Sequence, residues 1–181
     1  PHISRDCIQK YLDAGVDGIL VPMLETEEQA RELVCLGKYA PSGARGISTM
    51  RPHSNYDPGK LTDYMRKANE RVMLFAQIET ARGVGNIDKI CAVNGLDGVL
   101  IGPNDLACDL GHAGDFNTPD MEEAIETVLR AADAHGLPSG IIASNPAFLK
   151  KWEEKGMRLF SCDSELGLLK KGIQMMLKSL I

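Results

Sequence analysis

Apolar residues in this chain follow two rhythms that alternate along its length. Short, nearly unbroken apolar runs at residues 18–22, 72–78, 98–101, 139–143 and 157–162 predict buried β-strands. Between them, apolar positions recur every three or four residues and predict helices over 4–14, 26–36, 61–70, 86–93, 119–135, 146–155 and 164–180. The punctuation agrees. Ser4 suits an N-cap and Gly15 a helix stop. Thr26 and Gln29 have capping-box spacing, and Pro119 suits a first helical turn. Residues 37–58, rich in Gly, Pro, Ser and Arg, and the polar stretch 111–118 predict loops.

One unit is repeated. Ala14-Gly15-Val16-Asp17-Gly18-Ile19-Leu20-Val21-Pro22 echoes Asn94-Gly95-Leu96-Asp97-Gly98-Val99-Leu100-Ile101-Gly102-Pro103. Each runs from a glycine stop through a tight turn into a buried strand and a proline, which is how repeated αβ units look. Strands apolar on both faces predict a parallel sheet. Two architectures fit five such strands. A (β/α)8 barrel needs eight strands, so about three βα units would have to precede Pro1. An open doubly wound sheet needs nothing more, but its Gly-rich phosphate turn is absent: Arg82-Gly83-Val84-Gly85 follows a strand and lacks the third glycine.

Two of the strands end in carboxylates. The run 72–78 stops at Glu79, and the run 98–101 stops at Gly102-Pro103, with Asp105 just beyond. In a parallel sheet both ends lie on one side, so Glu79 and Asp105 are the candidate ligands of a hard divalent cation, Mg²⁺ or equally Mn²⁺ or Co²⁺. The bland alternatives are a turn-capping Glu79 and an N-capping Asp105. Gln77 shares the face of Glu79, two residues away, and is a candidate hydrogen-bond donor to substrate. Gly102, Pro103, Asn104 and Asp105 open a helical turn whose free N–H groups suit a substrate carboxylate. Arg45, in a Gly-rich loop, is a candidate for a substrate anion or for pinning its loop to a carboxylate. His53 and His112 read as rim or solvated loop residues, and His135 as a cation at a helix end. Trp152 and the Met175-Met176-Leu177 cluster read as packing residues. The apolar stripe Leu166, Leu168, Leu169, Ile173 and Leu177 suits a barrel wall or a subunit contact.

Composition narrows the field. A net charge of −5 without a basic run disfavours nucleic acid. No apolar run approaches the roughly 20 residues of a membrane span. The cysteines number 5 and form no Cys-x-x-Cys pair, which disfavours disulfides and zinc and points to a cytoplasmic setting. Cys35, Cys91 and Cys162 read as small core residues.

Gly43-Ala44-Arg45-Gly46, Gln77-Ile78-Glu79-Thr80 and Gly98-Val99-Leu100-Ile101-Gly102-Pro103-Asn104-Asp105-Leu106 follow one another in this order. With Leu20-Val21-Pro22-Met23 and the Tyr64, Lys67-Ala68-Asn69 helix, they resemble the metal-dependent pyruvate aldolases of the HpcH/HpaI family over essentially the whole chain. The resemblance implies a TIM barrel, here its last five βα units as one domain over 1–181. It also implies a homo-oligomer, hexameric or dimer-based, in which the helix at 164–181 is exchanged between subunits. The implied reaction is aldol cleavage or condensation of 4-hydroxy-2-oxo or 2-oxo-3-deoxy acids, giving pyruvate and an aldehyde through an enolate. Glu79 and Asp105 would hold the metal. The family's His, Asp and Arg would precede Pro1, and His2 is not that base. A barrel lacking those units exposes sheet edges and needs the rest of the barrel for stability. Two other readings stand beside this one. A citrate-lyase-like acyl-CoA lyase with the same metal pair would show a CoA pocket, and no nucleotide-friendly basic stretch is apparent. A non-catalytic fragment would bind metal without turnover.

Overall fold

The computed structural model describes residues 3–180, so the readings of Pro1 and His2 lie outside the described residues. Helix α1 (Arg5–Asp13) starts where the Ser4 hydroxyl accepts the Cys7 N–H, and the chain leaves it through Gly15 at φ +98°. Strand β1 (Gly18–Val21) follows, then α2 (Glu27–Gly37), where Thr26 and Gln29 form both halves of the capping box. The long loop contains only a 3₁₀ turn at Pro52–Ser54 before α3 (Leu61–Arg71). The remaining order is β2 (Met73–Ile78), α4 (Ala81–Gly85), α5 (Ile87–Cys91), β3 (Gly98–Ile101), α6 (Pro103–Asp109), α7 (Pro119–Ala134), β4 (Ser139–Ile142), α8 (Pro146–Glu154), β5 (Leu159–Ser161) and α9 (Glu165–Lys178).

All five strands are parallel and lie in chain order, β1-β2-β3-β4-β5. That order decides between the two predicted architectures. Right-handed crossovers that always step in one direction put every helix on the same face. A doubly wound sheet must reverse its strand order, and this one does not. Register sorts the side chains accordingly: Ala76 lies opposite Val21 and Val99, and Ile101 opposite Ile78 and Ile141. These residues face the helices and are buried with Leu33, Ile90, Ile125, Val128 and Trp152. The other face carries Leu20, Phe75, Gln77, Gly98, Leu100 and Gly140, where glycines alternate with large side chains. Leu20 and Phe75 stay partly open there. The arrangement is a half-barrel seen from within.

The structure refines several of the sequence readings. The helix expected at 86–93 is α5, and the sequence reading lacked the helix before it, α4, which is started by the Thr80 hydroxyl on the Gly83 N–H. Arg82-Gly83-Val84-Gly85 is therefore helical and is no phosphate loop. Cys35 and Cys162 are exposed, and only Cys91 of the three is in the core. The Met175-Met176-Leu177 cluster does not pack: α9 buries none of its residues, and Leu166, Leu169 and Met175 face outward.

Candidate functional site

Period-two alternation along β2 points Phe75, Gln77 and Glu79 to the inner face and Leu74, Ala76 and Ile78 to the helices. Glu79, at the C-terminal end, is 4% exposed. Its Oε2 accepts the backbone N–H of Met23 at 2.8 Å, and its Oε1 accepts the side-chain amide of Gln77. Met23 reaches it by taking a left-handed conformation, φ +54°, straight after Pro22. The next N–H, of Leu24, donates to the Gln77 carbonyl at 3.1 Å. The end of β1 thus clamps the end of β2.

From the other side, the Gly102 N–H donates to the Ile78 carbonyl at 3.1 Å, carrying the β3 ladder one residue past the strand. Pro103 then opens α6, with Asp105 in its first turn. A side chain at 102 has no room: a Cβ would run into the Glu79 carboxylate and lie 2.8 Å from Gln77 Nε2. The glycine lets the β3–α6 turn cross directly over Glu79.

The Glu79 carboxyl is held above the usual carboxylate range. Burial is the main cause, the Met23 and Gln77 hydrogen bonds pull the other way, and the neighbouring Asp105 charge adds to the rise. Among the described residues, neither carboxylate has a Lys, Arg or His ion-pair partner. Nor does any group of three or more His, Cys, Asp or Glu converge anywhere among them. The donor set at this end is two abutting carboxylates lacking positive charge, which fits a hard divalent cation completed by water or substrate oxygens.

The surrounding turns are braced by residues that sequence reasoning missed. Glu25 Oε1 accepts the Thr80 hydroxyl at 2.9 Å, and Asp109 Oδ2 accepts the Ala81 N–H at 2.7 Å. Neither they nor Met23 carries a local signal, because each bond spans 28 or more positions.

Of the two readings of Arg45, pinning its loop to a carboxylate holds, and the substrate contact at this site is corrected. Arg45 lies at the opposite end of the sheet, about 20 Å away by the rise of β2, where its Nη2 meets Asp13 at 3.1 Å and its guanidinium lies 4.7 Å over the Tyr39 ring. His53 is there too. It is not solvated: its side chain is 6% exposed, bonded to Tyr64 and to the Ser48 carbonyl. His112 meets Asp120 at 3.1 Å, and His135, the C-cap of α7, meets Asp88 at 2.8 Å. Of the sequence candidates, Gln77, Glu79, Gly102, Pro103, Asn104 and Asp105 come together, with Asn104 and Asp105 exposed at the mouth.

Comparison with known proteins agrees with this arrangement. A family profile described as HpcH/HpaI aldolase/citrate lyase matches residues 1–170. The 5-keto-4-deoxy-D-glucarate aldolase of Escherichia coli O6:H1 (strain CFT073) is 37% identical over 167 residues, which are 92% of this chain and 64% of that protein. The chain thus spans just under two thirds of the curated relatives it matches. An HpcH/HpaI aldolase from Desulfitobacterium hafniense DCB-2 superposes with a TM-score of 0.92 at 31% identity, covering 99% of this chain and 70% of that one. An HpcH/HpaI aldolase/citrate lyase family protein from Burkholderia cenocepacia J2315 gives 0.91 at 33%, covering 99% and 71%. Five parallel strands with their helices on one face, matched by sequence and by backbone along almost their whole length, establish that this chain belongs to the HpcH/HpaI aldolase/citrate lyase family.

Proposed function

We propose that the protein is a divalent-metal-dependent carbon–carbon lyase that cleaves or forms 4-hydroxy-2-oxo or 2-oxo-3-deoxy acids, with pyruvate and an aldehyde on the other side of the reaction. The observation that carries this reading is the pairing of Glu79 and Asp105 at the ends of adjacent parallel strands, with no cation among the described residues to neutralise them. Glu79 and Asp105 would hold the metal, which supplies Lewis-acid stabilisation of negative charge developing on the substrate keto oxygen.

The chain's own residues position the rest. The Met23 N–H and the Gln77 amide hold both oxygens of Glu79, so the ligand is oriented before a metal arrives. Gln77 has a second amide hydrogen to offer the substrate. The N–H groups of Asn104 and Asp105 lie in the first turn of α6, where a helix leaves its donors unpaired, and would receive the 2-oxo acid's carboxylate. Leu20 and Phe75 line the inner face below and keep that side apolar. The 37% identity to a sugar-acid aldolase supports a 2-oxo-3-deoxy acid among the candidate substrates.

The test is pyruvate release from a 4-hydroxy-2-oxo acid by the natural full-length protein, with and without EDTA, together with calorimetric titration of Mn²⁺. Glu79→Gln and Asp105→Asn are expected to remove metal binding and turnover together. Metal affinity unchanged in both variants overturns the assignment. Cleavage of an acyl-CoA thioester without pyruvate release would favour the citrate-lyase-like reading.

A further inference from the structure

At the end of the sheet opposite Glu79, the turn before β1, the long loop and α3 enclose a cleft of about 320 Å³. Tyr64, Lys67, Ala68 and Arg71 line one wall, spaced as a single stripe of α3. Arg45, His53 and Asn55 form the floor and the far wall.

The charges in this cleft are not balanced. Arg45 is 5% exposed, and its Nε has no hydrogen-bond partner although it is buried. A guanidinium N–H buried without an acceptor is unfavourable. The one carboxylate beside it, Asp13, is shared by Arg45 at 3.1 Å, His53 at 3.5 Å and Arg51 at 3.6 Å. On α3, Lys67 and Arg71 are like charges four residues apart, which repel. Arg71 pairs with Asp17 at 2.5 Å, while Lys67 has no ion pair among the described residues. Among the described residues, Arg45 and Arg51 share Asp13 and Arg71 pairs with Asp17, while Asp63 stands one turn before Lys67 on α3 without an ion pair to it.

We propose that this cleft is a second binding site, separate from the carboxylate pair, for a small dianionic phosphate group. One such group would offset the Arg45 charge, relieve the repulsion between Lys67 and Arg71, and take a further hydrogen bond from the Asn55 side-chain amide. The site does not depend on the proposed lyase activity, so the two readings can fail separately. The ligand is either free phosphate or the phosphate of a monoester.

The experiment is calorimetric titration of the natural full-length protein with EDTA present and ionic strength held with sodium chloride. Inorganic phosphate is used in one arm and glycerol 2-phosphate in the other. Saturable binding is expected in at least one arm. It should weaken about tenfold in Lys67→Ala and in Arg71→Ala, as expected for loss of one charge-assisted contact. It should be unchanged in Lys89→Ala, on a different surface, and in Asp105→Asn. Tighter binding of the ester identifies a phosphomonoester as the ligand, and equal binding identifies the free anion as sufficient. No saturation above the chloride control, or unchanged affinity in Lys67→Ala while the variant unfolds at the wild-type midpoint, overturns the proposal.

Discussion

Replacing Gly102 by alanine separates the position of Glu79 from the stability of the fold. Gly102 lies at φ −96°, ψ 92°, close to extended backbone that any residue adopts, so backbone strain plays no part. The effect is steric. The added Cβ would run into the Glu79 carboxylate and lie 2.8 Å from both Glu79 Cγ and Gln77 Nε2. Those side-chain ends can swing toward the open inner face, so the cost to folding belongs at the low end for overpacking, about 1–2 kcal/mol. Glu79 cannot swing and keep its bond to the Met23 N–H. Disturbing the groups that orient a metal ligand typically weakens metal binding 10- to about 100-fold. Gly102→Ala is therefore expected to lower Mn²⁺ affinity at least about tenfold while still unfolding cooperatively. Calorimetry of Mn²⁺ binding and urea unfolding, in one buffer on the natural full-length protein, measure the two effects. Mn²⁺ affinity within about twofold of wild type would refute the claim that Glu79 holds metal from the observed position.

Two further predictions test the sheet and the core. At Gly140 a Cβ would collide with the Leu159 backbone, 2.6 Å from its carbonyl carbon, and backbone cannot swing away. Gly140→Ala should cost about 3 kcal/mol by parting β4 from β5, and a shift below about 0.5 kcal/mol in urea unfolding would contradict this packing. Burial pushes the Cys91 thiol from 9.0 up to about 12, whereas Cys35, Cys108 and Cys162 are exposed. Iodoacetamide at about pH 8 should modify those three and spare Cys91 in the native protein, read by peptide mass spectrometry. The same shift makes stability pH-dependent. The unfolded thiol ionises near 9.0 while the folded one keeps its proton to about 12, so this contribution is intact below pH 9 and is lost as pH rises above it. Alkylation of Cys91 as fast as Cys35 would show the core to be open.

Local chemistry makes much of this protein legible in its sequence. Strand runs, helix periodicity and caps act within a few residues, so the Ser4 cap, the Thr26–Gln29 capping box and five strands could be read directly. Alternation along one strand put Gln77 and Glu79 on a common face, and parallel order brought Asp105 to the same end. The choice between half-barrel and doubly wound sheet was not local. It rests on whether each new strand adds on the same side, which only long-range pairing settles.

What went unread was held by contacts distant in sequence. The Met23 N–H meets Glu79 across 56 positions, and nothing near Pro22 announces the left-handed turn that aims it. Arg45 sits in a loop whose composition is the same whichever end of the sheet it covers. Its place was fixed by Asp13, 32 positions earlier, and by the Tyr39 ring. Cys35 and Cys162 have apolar neighbours in sequence but face outward. The apolar stripe of α9 looks the same in sequence whether it is covered or bare, and this fold leaves it bare among the described residues. Periodicity tells a chain which face of an element is apolar, whereas the partner that face meets is set by the free energy of the whole assembly.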